Sequence, residues 1–485
     1  MISVFVKEQK RYTLDELSSL LRCNLEKIRT YIKILKQYGV IKAVKANKIQ
    51  RDMSDLNEQD IEIENTLDNN SDYYYVFTFV GVISAFGRIL KCYPKYVSND
   101  DEKYLTHHLK NVLRVLQKHN SNEQIIKMAS DGDAGHSFNL LTVILYLLQD
   151  YYESGLYTNE VNVVETNGTG EVLWDKTINN SFVYLNDNRP YYMDLYTKKR
   201  VSNNNDYFRK LHEIVLSICS KELLNAQLDE LFGIEPIELT EDPLSYLGDT
   251  NDILYHIQME LNTQFNTRKQ LVLKMMYVYI SQESHLNDVE AFSIFGTNSF
   301  NLVWEKVCAS VMNNQLDEPL RSIPLKSNKF PQTKKLKSII EHPKWSGRDN
   351  EGKFEKQAKD TLIPDIISVV EQKDDYIFII FDAKYYNLKL DRNRLSGYPG
   401  IGDVTKQYLY QLAYKDLIAD ADIKSIKNCF LMPTDNVDVI KIGQVRMEML
   451  ESMNLENIQV RLLPAIEIYE YYLSGKKYDI NKLEL

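Results

Sequence analysis

Two hydrophobic periods alternate along this chain and divide it into stretches of different kind. Residues 1–50 follow the 3.6-residue period. Thr13 with Glu16 reads as a capping box, opening a helix that buries Leu14, Leu17, Leu20 and Leu21. Asn24 is placed to cap a second helix running to Tyr38, and Gly39 to end it. In that helix Ile28, Ile32 and Leu35 share one face, while Arg29, Lys33 and Lys36 repeat the same spacing one residue along. Val40 to Ile49 alternates apolar with basic residues, as a small hairpin wing would. The pattern predicts a winged helix-turn-helix. At Tyr73 the period shortens to that of strands. YYYVFTFVGVIS is rich in aromatic and β-branched residues, and CYPKYV ends a further strand at Pro94. Residues 102–158 and 205–290 return to helical spacing.

The last third combines both periods. Asn301 to Met312 predicts a helix with Trp304, Val307 and Cys308 on its apolar stripe and Glu305 beside them. Leu362 to Val370 predicts a short apolar strand, Glu371 to Asp375 a polar turn, and Tyr376 to Phe381 a strand buried on both faces. Asp403 to Ala419 reads as a helix and Lys424 to Met432 as another strand of the sheet. The expected fold class is therefore α/β, a multidomain α+β chain. Its divisions are a winged helix at 1–50, a linker at 51–72, a mixed strand and helix domain at 73–290 suited to docking a partner, and an α/β domain at 291–485.

Composition changes this picture in three places. With 485 residues, 44% hydrophobic and 26% charged, the chain is an ordinary folded protein too long for one core. Its net charge of −10 argues against a surface that binds nucleic acid everywhere, so any such contact must come from patches. The patches exist. Residues 1–50 carry eleven Lys/Arg against four Asp/Glu, and 51–72 carry eight Asp/Glu against the lone Arg51. The basic helix with Arg29, Lys33 and Lys36 suits a DNA groove, and equally a solvated or protein-docking face. A second basic stretch runs from Arg321 to Arg348 and includes Lys334, Lys335 and Lys337, placed for phosphate contact.

Five scattered cysteines without CxxC spacing argue for reduced thiols and against a zinc site. The longest apolar stretch, Leu140 to Leu148, is too short to span a bilayer, and MISVFVKEQKRY lacks the layout of a signal peptide. A cytoplasmic protein with no membrane contact is expected. The glycine-containing segments SDGDAGH and Asn167–Gly170 lack the Lys-Ser/Thr of a phosphate-binding loop. Any nucleotide-driven step would need another chain.

The candidate chemistry lies at the end of the buried strand. Tyr376–Phe381 runs directly into Asp382-Ala383-Lys384, and a carboxylate there is costly unless its charge is satisfied. Asp382 and Lys384, two apart, leave the strand on the same side. If the strands pair as a hairpin, Asp365 approaches that side as well. This is the PD…DxK pattern. Its oxygen ligands suit Mg²⁺, with the Ala383 carbonyl as a further ligand and Glu305 as an extra acid. Such a metal lowers the pKa of a bound water and neutralises charge on a phosphodiester. Lys384 would orient or deprotonate the nucleophile, or hold the phosphate. Gln407, Gln411 and Tyr414 share a helical face. The two amides would reach the metal-bound water or the DNA backbone, or are ordinary helix-surface residues.

Several longer segments carry a resemblance. FTFVGVI (77–83) with CYPKYV (92–97), NGTGEVLWDKTI (167–178), FGTNSFNLVWEKVC (295–308), IPDII (363–367), IIFDAKYYN (379–387) and KQYLYQLAY (406–414) together resemble the LlaJI family of restriction endonucleases, similar in turn to the McrC nuclease subunit. The resemblance implies a PD-(D/E)xK endonuclease that cuts double-stranded DNA in defence against foreign DNA. It implies metal roles for Asp365 and Asp382, a catalytic role for Lys384 and a supporting role for Glu305. It also implies a McrB-like AAA+ GTPase partner. The rival readings are a non-catalytic DNA-binding or assembly subunit and a DNA-repair nuclease.

Overall fold

The computed structural model describes residues 2–45, 73–119, 140–203, 205–282, 292–325, 327–350, 352–372, 375–423 and 425–485. The acidic linker and the SDGDAGH segment lie outside the described residues. The chain forms a mixed α/β protein with two compact units. One comprises Ile2–Ile83, Arg88–Asn122 and Ile294–Leu485; the other Ser84–Gly87 and Glu123–Ser293, with Met1.

In the first unit both N-terminal caps form. The Thr13 hydroxyl accepts from the Glu16 amide at 3.1 Å and the Glu16 carboxylate accepts from the Thr13 amide at 2.7 Å. The Asn24 side chain accepts from the Lys27 amide at 3.0 Å. The helix Leu25–Gln37 buries Ile28, Ile32 and Leu35, and Gly39 takes the left-handed conformation that ends it. The strand Ile41–Lys45 pairs antiparallel with Tyr73–Phe77, so the partner of the expected wing comes from beyond residue 72. A four-stranded sheet then orders Ile2–Lys7, Arg88–Tyr93, Val80–Ala85 and Phe292–Thr297.

The sheet that positions the site has five strands in the order Ile366–Gln372, Asp375–Ala383, Ser425–Thr434, Ile458–Pro464 and Ile440–Val445. Its first two strands form an antiparallel hairpin, and Asp375–Ala383 runs parallel to Ser425–Thr434. The first strand begins at Ile366 rather than Leu362, which leaves Pro364-Asp365 on the segment that enters it. Ile377 to Phe381 are all buried. The helix Ile401–Asp420 covers one face, where Tyr410, Tyr414, Leu417 and Ile418 pack with Phe378 and Ile380. The helix Phe300–Val311 packs against the same strand. Burial of this aromatic and aliphatic core stabilises the hairpin by about 2 kcal/mol for each fully enclosed side chain.

The second unit is mainly helical, with Leu140–Ser154, Tyr207–Asn225, Thr250–Thr263 and Thr267–Ile280. Asn167–Gly170 is a turn, between the strands Glu160–Thr166 and Glu171–Val172. The hairpin Val183–Asn186/Arg189–Tyr192 also belongs to this unit. No helix among the described residues is long and apolar enough to cross a membrane. All five cysteines are free.

Candidate active site

The hairpin register creates the site. Ile366 faces Phe381, so one step further sets Asp365 against Asp382. The two carboxyls stand close enough to interact directly, and the Asp365 carboxylate accepts from the Ala383 amide at 3.2 Å. Asn314 fixes the entry to this strand: its amide donates to the Asp365 carbonyl at 3.1 Å and its oxygen accepts from the Ile367 amide at 3.1 Å. Asp382 is 4% exposed. Burial first, then the closeness and charge of Asp365, push its carboxyl well above the usual carboxylate range.

Lys384 answers that charge. Its ammonium lies 3.0 Å from Asp382 and 3.2 Å from Asp403. Burial works to lower its pKa, but Asp382, Asp403 and Asp365 outweigh burial and raise it. The lysine is held as a cation. Its amide donates to the Leu431 carbonyl at 2.9 Å, and the Trp304 indole donates to the same oxygen at 3.1 Å. Trp304 thereby ties the helix that bears Glu305 to the strand beside Ala383. Glu305 is half-buried, and its pKa rises to about 7 through burial and the charge of Asp365.

The structure thus brings together Asp365, Asp382, Ala383 and Lys384, with Glu305 close enough to feel their charge. Among the described residues no group of three or more His, Cys, Asp or Glu is already spaced to hold a metal ion. The donor chemistry still fits a hard cation. Every ligand atom is oxygen, and crowded carboxyls that must share protons are relieved by positive charge.

Other expected site residues are engaged elsewhere. The Gln407 amide nitrogen donates to the Ile380 carbonyl at 2.8 Å, and the Gln411 oxygen accepts from Asn428 at 2.7 Å and from the Glu456 amide at 3.2 Å. Both glutamines are buried and make no hydrogen bond to the carboxyl pair, because the face they share with Tyr414 is the core face of the helix. Lys335 and Lys337 reach Asp317, at 3.8 and 2.5 Å, and Lys334 lies over the Phe330 ring. Lys33 is exposed, while Arg29 and Lys36 are half-buried, with Lys36 over the Tyr75 ring.

Asp403 had no role in the sequence reading. It stands in the first turn of its helix, where an acid ordinarily serves the helix dipole, and nothing local links it to Lys384 nineteen residues earlier. A second unforeseen group lies behind the lysine. Tyr385 donates to the fully buried carboxylate of Glu8, which also accepts from the Lys95 amide at 3.1 Å. The N-terminal strand is thereby fastened to the residue that follows Lys384.

Comparison with known proteins adds a family match and one curated relative. The family model for LlaJI restriction endonuclease matches residues 79–468. The type II restriction enzyme BsuMI component YdjA of Bacillus subtilis (strain 168) is 26% identical over 418 residues, 84% of this chain and 83% of that protein. Among solved structures, a half-complex of Thermococcus gammatolerans McrB AAA+ hexamers with bound McrC aligns over 98% of this chain and 99% of that one, at 11% identity and a TM-score of 0.37. The Thermococcus gammatolerans McrBC complex aligns over 63% and 85%, at 12% identity and a TM-score of 0.25.

Proposed function

Because the chain belongs to the LlaJI restriction endonuclease family, we propose that it is the DNA-cutting component of a restriction system, hydrolysing phosphodiester bonds of double-stranded DNA at the Asp365–Asp382–Lys384 site. The observation that carries this reading is the convergence of two carboxyls and one ammonium at the end of a buried hairpin. Two acids set opposite each other in a buried hairpin cost folding energy, and a cation held between them would offset that cost. On this reading the C-terminal half is a PD-(D/E)xK nuclease and the first helices are a DNA-binding winged helix.

Asp365 and Asp382 would hold Mg²⁺, with the Ala383 carbonyl and Glu305 in support. Bound there, the ion supplies an activated water and neutralises phosphate charge. The protein's own groups do the rest. Lys384, kept cationic by Asp382 and Asp403, fits a role holding the scissile phosphate and stabilising its growing charge better than one as a base. Asp403 positions that ammonium. Asn314 and the Ala383 amide orient Asp365.

The relative is described as a component, and the chain carries no phosphate-binding loop, so a second subunit of the AAA+ class is part of this proposal. The hairpin Val183–Asn186/Arg189–Tyr192 and its flanks offer a surface for one. Phe182 is 86% exposed and Leu185 71%, in a region where Tyr184, Tyr191 and Met193 are exposed too.

The test is a plasmid-cleavage assay with Mg²⁺, run with and without the partner subunit and its nucleotide. The double variant Asp382→Ala, Lys384→Ala should bind duplex DNA and keep its circular-dichroism spectrum but cut nothing. Restriction that persists in that variant would sink the enzyme reading and leave a DNA-binding or assembly subunit.

A further inference from the structure

Eight residues before Asp365 ends a hairpin for which the nuclease core has no use. Its strands, Lys344–Asp349 and Gly352–Gln357, form a two-stranded ribbon that joins no other sheet among the described residues. Trp345 stands opposite Lys356, Gly347 opposite Phe354 and Arg348 opposite Lys353. Side chains alternate along each strand, so Trp345, Phe354 and Lys356 share one face, and Lys344, Arg348 and Lys353 the other.

Neither face is covered. Trp345 is 71% exposed and Phe354 45%. The Phe354 ring rests against Gly347, where a Cβ would stand 2.5 Å from it, so a larger residue there would push the ring aside. The two strands carry four cations, Lys344, Arg348, Lys353 and Lys356, against Asp349 and Glu355. Lys344 reaches Glu355 only at 4.0 Å, and Arg348, Lys353 and Lys356 make no ion pair with another described residue. At the ribbon's base a cavity of about 520 Å³ is lined by Lys344 and Gln357 from the ribbon, and by Lys359, Thr361 and Ile363 from the segment leading to Asp365.

An isolated two-stranded hairpin is marginally stable and gains nothing from exposed aromatics. Its shape, its charge and its place in the chain just ahead of Asp365 fit one ligand. We propose that the ribbon enters the major groove of duplex DNA and sets where along the duplex the Asp365–Asp382–Lys384 site falls. The proposal rests on the nuclease reading above. A major groove about 12 Å wide admits a two-stranded ribbon. Trp345 and Phe354, on the face turned to the bases, offer apolar contact to thymine methyls, with Lys356 beside them as a donor to base-edge acceptors, while Lys344, Arg348 and Lys353 on the other face reach round to phosphates of the groove walls.

The test uses the full chain carrying Asp382→Ala, which removes cutting, and a fluorescein-labelled duplex followed by anisotropy at several salt concentrations. Adding Arg348→Ala, Lys353→Ala and Lys356→Ala should weaken binding at least about tenfold and flatten the salt dependence by the two or three phosphate equivalents those cations supply. The Lys353→Arg, Lys356→Arg variant should keep the parent's affinity, which separates lost charge from lost structure. In the cutting-competent chain, Arg348→Ala should redistribute cleavage positions without abolishing cleavage. Equal affinity and salt dependence in the triple variant and its parent would overturn the ribbon proposal while leaving the nuclease reading intact. So would a triple variant that keeps DNA affinity but loses association with a protein subunit. A wild-type chain that neither binds nor cuts duplex DNA, alone or with its partner, would overturn the nuclease reading and the ribbon with it.

Discussion

Two hairpins lie within forty residues of each other in this chain, and they obey opposite rules. The hairpin Ile366–Gln372/Asp375–Ala383 is enclosed: Ile377 to Phe381 are buried, a helix covers the face of Phe378 and Ile380, and a parallel neighbour continues the sheet. The ribbon Lys344–Asp349/Gly352–Gln357 is enclosed on neither face. In the first, packing explains the apolar run that leads to its end but not the two acids and the lysine there, so those three call for a chemical reason. In the second, packing explains only Gly347 beneath Phe354, so the aromatic residues and cations call for a reason outside the chain. A residue's function shows most clearly where it departs from what its local fold requires.

The sharpest way to break this contrast is to remove one aromatic ring from each hairpin. Phe381→Ala in the enclosed hairpin should cost about 3–5 kcal/mol, the usual penalty for emptying a well-packed aromatic site. Denaturant unfolding monitored by circular dichroism would measure it. A loss below about 1 kcal/mol would mean that the sheet collapses into the gap, and that the rigidity ascribed to the site is absent.

Next in size is Asp403→Asn, which keeps the side chain's shape and removes its charge. Lys384 would keep Asp382 as its partner and lose the group that holds it from the other side. Cutting should slow about 10- to 100-fold, the range for groups that orient a reacting centre from one contact away. The effect should fall on kcat with DNA affinity nearly unchanged, and an unaltered kcat would remove Asp403 from the mechanism.

What the sequence disclosed and what it hid follow one physical line. Local devices were legible: the Thr13–Glu16 box, the Asn24 cap, and the apolar run that places Asp382 at a strand end. The facing of Asp365 and Asp382 was legible once a hairpin was assumed, because antiparallel register follows from the turn. Partners set by tertiary packing were hidden. Asp403 reads as a helix-start acid until the helix docks. Gln407 and Gln411 read as one face of a helix, and periodicity does not say whether that face meets solvent or sheet. Lys335 and Lys337 read as free cations until the loop folds back to Asp317. The ribbon was hidden for another reason: with no buried face it has no hydrophobic alternation to announce it.

A smaller effect should come from the ion itself. The metal-free carboxyl pair is crowded, as the raised pKa of Asp382 records, and adding Mg²⁺ should stabilise the folded chain by about 1–3 kcal/mol at concentrations ten to a hundred times the dissociation constant. Thermal melts with and without the ion would read this shift. Asp382→Asn relieves the same crowding without a cation. That variant should melt no lower than the wild type in metal-free buffer and gain little from Mg²⁺. A wild type indifferent to Mg²⁺ would count against these carboxyls as its ligands.

The smallest effect is the most telling for the ribbon. Trp345→Ala removes the largest side chain in that segment, yet Trp345 has no core to leave and is 71% exposed. Its stability change should stay within about 0.5 kcal/mol, as for other surface positions, against several kcal/mol for Phe381. Ribbon and core would then be thermodynamically independent, and any loss of DNA affinity in the variant would be a loss of contact, not of fold. A destabilisation above about 1 kcal/mol would mean that Trp345 supports the structure. In that case its exposure would no longer argue for an external partner, and the case for the ribbon would fall back on Arg348, Lys353 and Lys356 alone.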